Sequence, residues 1–308
     1  MTAPYGNSVR IRVPATSANL GPAFDCAGLA LACHDSLEFT VAAHALKVTM
    51  TGEGASILPT GKDHLVVRAF RAACDELGWH PPGLRLIAQN SIPQGRGMGS
   101  SAAAVVAGVL GAWALCPDVP EVDRDAVLRL ATELEGHPDN VAACLLGGAT
   151  LSWMAEGGAR AARLEVDARV IPVLLVPPDT LSTHLARGLL PDVVPHADAA
   201  HAAGRAALLV HALTREPALL LEATADRLHQ RQREAAMPES LALIDRLRAQ
   251  GLAAVVSGAG PSVLVLAGTR GAAAAVGDLV PAGWTVLHLE VDSHGARVLA
   301  DGPEVSSA

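Results

Sequence analysis

At 308 residues the chain is long enough to bury a sizeable core, and we expect that core to be divided between two lobes. Half of the residues are apolar but only 3% are aromatic, so the core must consist of many small contacts among alanine, leucine and valine side chains. The net charge of −8 argues against general nucleic-acid binding, which needs a basic face, although a small anionic ligand needs only a local pocket.

The cysteines and the hydropathy of the chain bear on its compartment. The five cysteines are odd in number and widely spaced, which predicts reduced thiols in a cytoplasmic protein and no zinc site. Residues 1–12 lack the basic start and apolar stretch of a signal peptide. The apolar run 101–116, which contains no charge and no proline, is shorter than the ~20 residues of a membrane span. We therefore expect a cytoplasmic protein with no membrane attachment.

The first half of the chain predicts a mixture of strands and helices. Residues 9–14 predict a first strand, which ends in a turn-rich segment over 14–25, and residues 35–50 predict further strands. Helical spacing of apolar residues predicts helices over 63–79, over 122–135, and in a short segment from 139 to the glycines at 147 and 148. A strand is predicted over 84–92, and the uncharged run 101–116 predicts a helix that is buried on all sides.

The character of the sequence changes around residues 157–163, and we place the boundary between the two lobes there. The predicted lobes span residues 1–160 and 161–308. Beyond it the pattern predicts a strand over 170–176, helices over 197–221 and 239–250, strands over 252–256 and 263–267, and a last strand over 286–291. We expect a loose tail after Gly302. Two α+β lobes that share one interface are the simplest architecture for this order.

A glycine-rich loop joins the strand over 84–92 to the apolar helix. Its sequence from Pro93 is Pro-Gln-Gly-Arg-Gly-Met-Gly-Ser-Ser-Ala, with glycines at 95, 97 and 99. Such a backbone coils tightly, points several amides one way and leads into the free N–H groups of a helix N-terminus, which makes an anion site. Ser100 and Ser101 can offer hydroxyls to a phosphate or to Mg²⁺. Taken alone, the loop fits equally well a tight turn in which a serine caps the helix.

Two further segments accompany this loop, one before it and one after it in the chain. They are residues 14–25, rich in short polar side chains, and the glycine-rich turn 257–262 between two apolar strands. The three together resemble the motifs of the GHMP kinases over nearly the whole chain. Four segments are similar in sequence to the corresponding segments of the members that phosphorylate homoserine. They are residues 13–25, 135–142, 181–187 and 226–233. The resemblance implies an α+β fold of two lobes, an N-terminal ribosomal-S5-domain-2-like lobe that binds ATP and a C-terminal ferredoxin-like α/β-plait lobe that completes the substrate site.

The resemblance also implies which residues meet L-homoserine, a zwitterion with a primary hydroxyl. Asp25 is implied to bind the ammonium group, with Asn19 beside it, and Arg187 and Arg233 to bind the carboxylate. A guanidinium group suits a carboxylate better than a lysine does, because it can donate two parallel hydrogen bonds. Thr183 belongs to the same substrate segment. The alternative for either arginine is a solvated surface charge, and Arg227 and Arg231 are neighbours that can be confused with Arg233.

ATP is implied as co-substrate, and Mg²⁺ as the ion that bridges its β- and γ-phosphates. Mg²⁺ prefers oxygen ligands and keeps waters, so one carboxylate and one hydroxyl suffice: Glu135, which lies beside the apolar stripe of its helix, and Ser101, with Ser100 as second choice. Arg96 could contact a phosphate or face solvent. The ATP-binding residues are expected to be Pro93, Gly95, Arg96, Gly97, Met98, Gly99, Ser100, Ser101, Gly258 and Gly260.

Asn140 and His137 are expected at the substrate hydroxyl, and with Glu135 and Ser101 they form the expected catalytic set. Mevalonate-type members use a lysine in the opening motif and an aspartate as base, whereas here the only lysines, Lys47 and Lys62, lie outside the motifs. Because Asn cannot accept a proton as a base, we expect direct in-line transfer driven by positioning and charge stabilisation, with His137 as the alternative base or a structural residue.

The amino-acid sequence leaves three points open. His64 stands where many members carry an asparagine near the adenine, so the adenine contact is not predicted. A different GHMP small-molecule kinase or a catalytically inactive GHMP-fold binding protein remains an alternative to homoserine phosphorylation. Family members often form homodimers, which makes a homodimer an expectation that this sequence neither supports nor opposes.

Overall fold

The computed structural model describes residues 6–299. The first part of the chain forms β1 (Ser8–Ala18), β2 (Ala27–Ala42), β3 (Ala45–Gly52), α1 (Leu65–Leu77), β4 (Gly83–Asn90), α2 (Ser100–Leu115), α3 (Arg124–Glu135), α4 (Asp139–Leu146), β5 (Ala149–Ala155) and β6 (Gly158–Leu164). The rest forms β7 (Ile171–Val176), α5 (Thr183–Gly188), α6 (His196–Thr214), α7 (Leu220–Ala223), α8 (Pro238–Ala249), β8 (Ala253–Val256), β9 (Val263–Ala267), α9 (Arg270–Ala275), β10 (Thr285–His288) and β11 (Arg297–Leu299). Within the described range, no helix is both long and apolar enough to cross a bilayer.

The first sheet has the strand order β11-β1-β2-β4-β3, and β5 extends it by pairing with β2 and with β6. All pairs are antiparallel except β3 with β4. The pairing of β1 with β2 shifts register between Pro14 and Ala15 and then continues to Ala18. The predicted turn-rich segment 14–25 is therefore wrong in its first five residues, because the partner strand β2 holds them in the sheet.

Helix α2 lies against this sheet and contacts α1, α3 and α4. Thirteen of its 16 residues are buried, which confirms the predicted helix with no exposed face. The close packing depends on glycine: a Cβ atom on Gly108 would collide with the Val66 carbonyl of α1, and one on Gly111 would press on the Phe39 ring of β2. This packing fixes where the first turn of α2 points.

The second sheet has the order β10-β7-β9-β8, all antiparallel, with α8 and α9 packed on it around a separate apolar core. The chain then returns to the first sheet, where β11 pairs with β1. The first sheet thus contains a strand from the last part of the chain, and β6 runs across the expected boundary at residues 160 and 161. That boundary stays a prediction.

The α+β class with two sheets is confirmed, and most predicted elements match within about three residues. The predicted helix over 197–221 is wrong as a single element: α6 ends at Thr214, and a 3-10 turn over Pro217–Leu219 follows because proline lacks the N–H that an α-helix needs. The predicted last strand also differs, since β10 ends at His288 and β11 comes after it. The tail after Gly302 lies outside the described residues.

Candidate active site

The glycine loop between β4 and α2 packs against two other segments. Gly95, Gly97 and Gly99 have φ values of +64°, +67° and +68°, a left-handed conformation that glycine adopts without steric cost. A Cβ atom on Gly97 would collide with the Ser257 carbonyl, and one on Gly99 would collide with Thr16 Oγ1. The glycines therefore let the loop approach both β1 and the second glycine-rich turn.

The first turn of α2 leaves its amides available to a ligand. Gly99 is the N-cap residue, and among the described residues no side chain caps the helix. The alternative in which a serine simply caps this helix is therefore wrong. The unsatisfied N–H groups and the positive end of the helix dipole together favour an anion at the loop.

The second glycine-rich turn connects the three motifs. Ser257 Oγ donates to the Gly97 carbonyl at 2.6 Å and lies 2.9 Å from Ser17 Oγ. The Gly258 amide donates to the Ala18 carbonyl at 3.2 Å, and the Gly258 carbonyl accepts from Asn19 Nδ2 at 2.9 Å. The three segments that are far apart in the sequence therefore meet in space.

One pocket at this meeting point brings together most of the expected site residues. Those on its lining are Asn19, Pro93, Gly95, Gly97, Met98, Gly99, Ser100, Ser101, Glu135, His137, Asn140, Thr183, Arg187, Arg233 and Gly258. Asp139, Leu181 and Ala259 complete the lining. Of the expected set, Asp25, Arg96 and Gly260 do not line it.

Asp25 stands directly behind the pocket, paired with one of its lining residues. Arg187 donates to both carboxylate oxygens of Asp25, from Nη1 at 3.0 Å and from Nη2 at 2.7 Å. The Asn19 side chain accepts from the Asp25 amide at 2.9 Å, which anchors the opening motif. The ring of Phe24 lies 5.7 Å from the guanidinium carbon of Arg187. A charged acid–base pair thus occupies this end of the site.

Arg233 lies deeper and is only 1% exposed. Its Nε donates to the Ala186 carbonyl at 3.2 Å, and its Nη1 donates to His229 Nδ1 at 3.0 Å. Because His229 Nε2 donates to the Gly21 carbonyl at 2.8 Å, the neutral ring carries its proton on Nε2. Burial lowers the pKa of Arg233 to about 10, and it also lowers the pKa of His229. A buried cation therefore faces the pocket beside the Asp25–Arg187 pair.

The opposite end of the pocket holds the expected metal residues. Ser101 Oγ donates to Glu135 Oε2 at 2.8 Å, so the first turn of α2 and the last residue of α3 meet. Partial burial raises the pKa of Glu135, because it removes water from the charged carboxylate. Across residues 6–299 no three His, Cys, Asp or Glu side chains cluster as a metal site. The Ser101–Glu135 contact places one hydroxyl and one carboxylate side by side, a set that fits Mg²⁺ with phosphate oxygens and waters.

Between these ends lie His137 and Asn140, each held by a neighbour. His137 Nδ1 is 2.8 Å from Asp139 Oδ1, and this hydrogen bond is the main cause that raises the pKa of His137. Thr16 Oγ1 donates to Asn140 Oδ1 at 2.7 Å. Sequence reasoning missed Thr16 and Asp139 as site residues, although both stand inside the motifs that carried the resemblance.

Two expected ATP-binding residues, Arg96 and Gly260, do not line the pocket. Arg96 donates from Nε to the Pro177 carbonyl at 3.0 Å and from Nη2 to the Pro178 carbonyl at 2.6 Å, so it ties the loop to the segment after β7. A contact of Arg96 with a phosphate stays a prediction. Gly260 packs tightly, since a Cβ atom there would lie 3.2 Å from Val256 Cγ1.

A second cavity of about 280 Å³ adjoins the loop, and Gly95, Ser100 and Ser101 line both spaces. His64, on its wall, is only 4% exposed, and burial lowers its pKa. Its Nε2 lies 3.1 Å from Met50 Sδ, while its Nδ1 has no hydrogen-bond partner in the described part of the chain. Mainly apolar side chains line the rest of this cavity, which suits a flat aromatic group.

Comparison with known proteins agrees with this arrangement. Residues 64–148 match the family model of the GHMP kinases N-terminal domain, and residues 203–284 match that of the GHMP kinases C-terminal domain. The chain is 55% identical to a homoserine kinase of Streptomyces avermitilis over 95% of this chain and 96% of that one. It is 50% identical to a homoserine kinase of Clavibacter michiganensis over 95% of this chain and 94% of that one.

A crystal structure of homoserine kinase from Cytophaga hutchinsonii superposes with a TM-score of 0.84 at 25% identity, covering 95% of this chain and 98% of that one. Both lobes are therefore shared with a solved enzyme. The two-lobed fold inferred from the motifs is confirmed. The chain belongs to the GHMP kinase family and groups with its homoserine kinases.

Proposed function

We propose that this chain transfers the γ-phosphoryl group of ATP to the side-chain hydroxyl of L-homoserine, which gives O-phospho-L-homoserine on the route to threonine. The observation that carries the proposal is the 55% identity to a homoserine kinase over nearly the full length of both chains. The pocket supports it, because a site suited to a polyanion and a site suited to a zwitterion lie side by side.

The substrate end accounts for recognition of an amino acid. The ammonium group of homoserine would pair with Asp25, and its carboxylate with Arg187 and Arg233, while Asn19 and Thr183 border the backbone of the ligand. Asp25 and Arg187 pair with each other at 2.7 Å in this structure. Binding therefore requires each of them to exchange its partner for the opposite charge of the substrate.

The phosphate end accounts for ATP. Its phosphates would lie over the amides of residues 95–101, and its base in the adjoining cavity beside His64. Mg²⁺, when bound, neutralises phosphate charge, and Ser101 and Glu135 are the residues that would hold it. The contact of the half-buried Glu135 carboxylate with Ser101 Oγ, at 2.8 Å, is the feature of this chain that supports a cation there.

The reaction follows from the order of these groups. The δ-oxygen of homoserine attacks the γ-phosphorus in line, the bond between that phosphorus and the β–γ bridging oxygen breaks, and ADP leaves. The hydroxyl proton passes late to the transferred phosphate or to water. Thr16 occupies Asn140 Oδ1, so Asn140 presents its amide N–H as a donor and not as a base. We expect Asn140→Ala to lose much of kcat, and full activity would remove that role.

His137 offers the alternative scheme. A pH profile of kcat that shows one essential base near neutrality, abolished in His137→Gln, would favour His137 as general base over the base-free transfer. An unchanged profile in the variant would support late proton loss.

The first alternative function is phosphorylation of another hydroxylated compound by the same fold. Arg187 and Arg233 disfavour an uncharged sugar, because the cationic pair would face a ligand without a carboxylate. The second is an inactive binding protein. The contact of Ser101 with Glu135 and the three converging motifs disfavour loss of activity.

The test is a coupled ADP-release assay with Mg·ATP and with homoserine, mevalonate, shikimate or galactose as acceptor. We expect turnover with homoserine to exceed that with each other acceptor by more than about 100-fold, since they lack the ammonium group. Turnover with a different acceptor would keep the phosphate site but remove the amino-acid pocket. No ADP with any acceptor would favour the inactive protein.

Two coarser features complete the proposal. All five cysteines are unpaired, which supports a reducing compartment such as the cytoplasm. A homodimer is the expectation from the family, and light scattering on the purified chain would test it.

A further inference from the structure

Asp139 is a buried carboxylate at the centre of the site that sequence reasoning assigned no role. It is the first residue of α4 and only 2% exposed. Its Oδ1 accepts from His137 Nδ1 at 2.8 Å and from the Asn140 backbone amide at 2.7 Å. Asn140 Nδ2 lies 3.5 Å from the same oxygen. One oxygen atom therefore contacts both residues expected at the reacting hydroxyl.

These contacts leave one polar atom on each side chain for the ligand. The bond to Asp139 occupies His137 Nδ1, so Nε2 is the ring nitrogen that remains. Thr16 occupies Asn140 Oδ1, so Nδ2 is the amide atom that remains. Both residues line the pocket. Asp139 thus decides which nitrogen of the imidazole is presented, and with Thr16 it fixes the orientation of the amide.

We propose that Asp139 is a positioning residue of the phosphoryl transfer, which orients His137 and Asn140 toward the acceptor hydroxyl through its Oδ1 without contacting substrate. The inference rests on the proposed function, because it assumes that the acceptor hydroxyl binds between those two side chains.

A second buried Asp–His pair shows what a structural role looks like in the same molecule. His34 Nε2 lies 2.5 Å from Asp292 Oδ2, and Asp292 is 6% exposed. Here Arg12 Nη2 donates to His34 Nδ1 at 3.2 Å, so both ring nitrogens are occupied. His137, by contrast, has one ring nitrogen without a partner among the described residues. The pair at residues 34 and 292 is therefore a matched control.

The experiment compares Asp139→Ala, Asp139→Asn and Asp292→Asn under saturating Mg·ATP. We expect Asp139→Ala to lower kcat by about 100-fold while KM for homoserine changes by less than about threefold, because the reacting geometry is lost and the charged end is intact. Asp139→Asn keeps the oxygen acceptor and is expected to regain at least about tenfold of that loss. Asp292→Asn is expected to leave kcat within about twofold.

Nitrogen-15 NMR of the histidine rings reports the tautomer of His137, which a change in stability alone would not alter. In the parent chain and in Asp139→Asn the neutral His137 ring is expected to carry its proton on Nδ1, and in Asp139→Ala it is expected to become a mixture of tautomers. Unchanged kcat in Asp139→Ala, or an equal loss in Asp292→Asn, would overturn the proposal.

A double variant covers the case in which Asp139→Ala does not fold. In a His137→Gln, Asn140→Ala background, Asp139→Asn is expected to have no further effect on kcat, because the residues through which it acts are gone. A further loss of about tenfold or more there would overturn the proposal. Absence of turnover in the parent chain would instead contradict the proposed function itself, so the two failures are distinguishable.

Discussion

The two ends of the pocket present different kinds of groups to a ligand. At the proposed substrate end, Asp25, Arg187 and Arg233 carry formal charges, and Asp25 and Arg187 pair with each other. At the phosphate end, backbone amides and hydroxyls face the space, and the arginine of the loop, Arg96, bonds to two carbonyls outside it. A small zwitterion needs single charges at the right separation, whereas a polyphosphate with its metal can be held by many neutral dipoles.

The difference predicts that the phosphate end depends on backbone shape above all. Gly99→Ala combines a positive φ with a collision against Thr16, which itself holds Asn140, and we expect kcat to fall by about 100-fold or more. Gly78→Ala is the control, because Gly78 has a φ of +62° but nothing within 4 Å of the added Cβ. Steady-state kinetics and the Tm of both variants check this. Equal effects in the two would mean that backbone strain alone is responsible.

Binding of homoserine at the proposed substrate end is expected to depend on side-chain charge, so a substitution that keeps the side-chain volume should still weaken it. Asp25→Asn preserves the volume but removes the partner of the ammonium group, so we expect KM for homoserine to rise by about 50-fold while KM for ATP is unchanged. Asp167→Asn removes an equivalent two-oxygen contact, to Arg169, away from the pocket and is the control. A rise in KM for ATP in Asp25→Asn would show that the two ends are not separate.

The two proposed Mg²⁺ ligands, Ser101 and Glu135, allow a test of which serine hydroxyl matters for metal binding. Ser101→Ala removes the donor to Glu135, and we expect the Mg²⁺ concentration for half-maximal activity to rise by about tenfold. The neighbouring Ser100→Ala is expected to change it by less than about threefold, since Ser101 makes the contact to Glu135. Titration of activity with Mg²⁺ measures both, and the reverse result would transfer the role to Ser100.

Asp35, a carboxyl group on the wall of the second cavity, is expected to make the stability of the fold depend on pH. Asp35 accepts from the Ser91 and Ile92 amides, and burial raises its pKa from 3.8 to about 6. A raised pKa means that the folded state holds the proton longer, so this group's contribution to stability is present below pH 4 and is lost as pH rises through 6. We expect Asp35→Asn to exceed the parent chain in Tm by about 2–4 °C at pH 7 and to match it near pH 4. An advantage at low pH would contradict this sign.

The smallest expected effect concerns Arg96. Because its guanidinium bonds to the Pro177 and Pro178 carbonyls, Arg96→Ala is expected to change KM for ATP by less than about threefold. A rise of about tenfold that depends on salt would show that the side chain turns to the phosphates, and the phosphate end would then use a formal charge after all.

The elements that the sequence predicted well are those with a strong local signal. The apolar run of α2 and its glycine loop needed no knowledge of their partners, and both are confirmed. The meeting of the three motifs was inferred from resemblance, since periodicity does not reveal contacts across more than 200 residues such as that of Asn19 with Gly258.

What the sequence missed depended on partners far along the chain. Residues 15–18 continue a strand because β2 pairs with them, and the three residues of β11 are too few for a periodic signal. For Arg96 the sequence left open a phosphate contact or exposure to solvent, and it did not predict the two carbonyls that the guanidinium bonds, because they come from a segment about 80 residues away. The proposed role of Asp139 depends on the side-chain conformations of His137 and Asn140, which no sequence pattern encodes.

The pairing of β11 with β1 has a consequence for how this architecture can change. The backbone leaves the first sheet, builds the second and comes back, so the second lobe is an insertion between strands of the first and not a unit attached at one end. An exchange of that lobe between relatives would have to join the backbone at two places. A single crossover would leave β1 with an open edge, exposed to pairing with other chains.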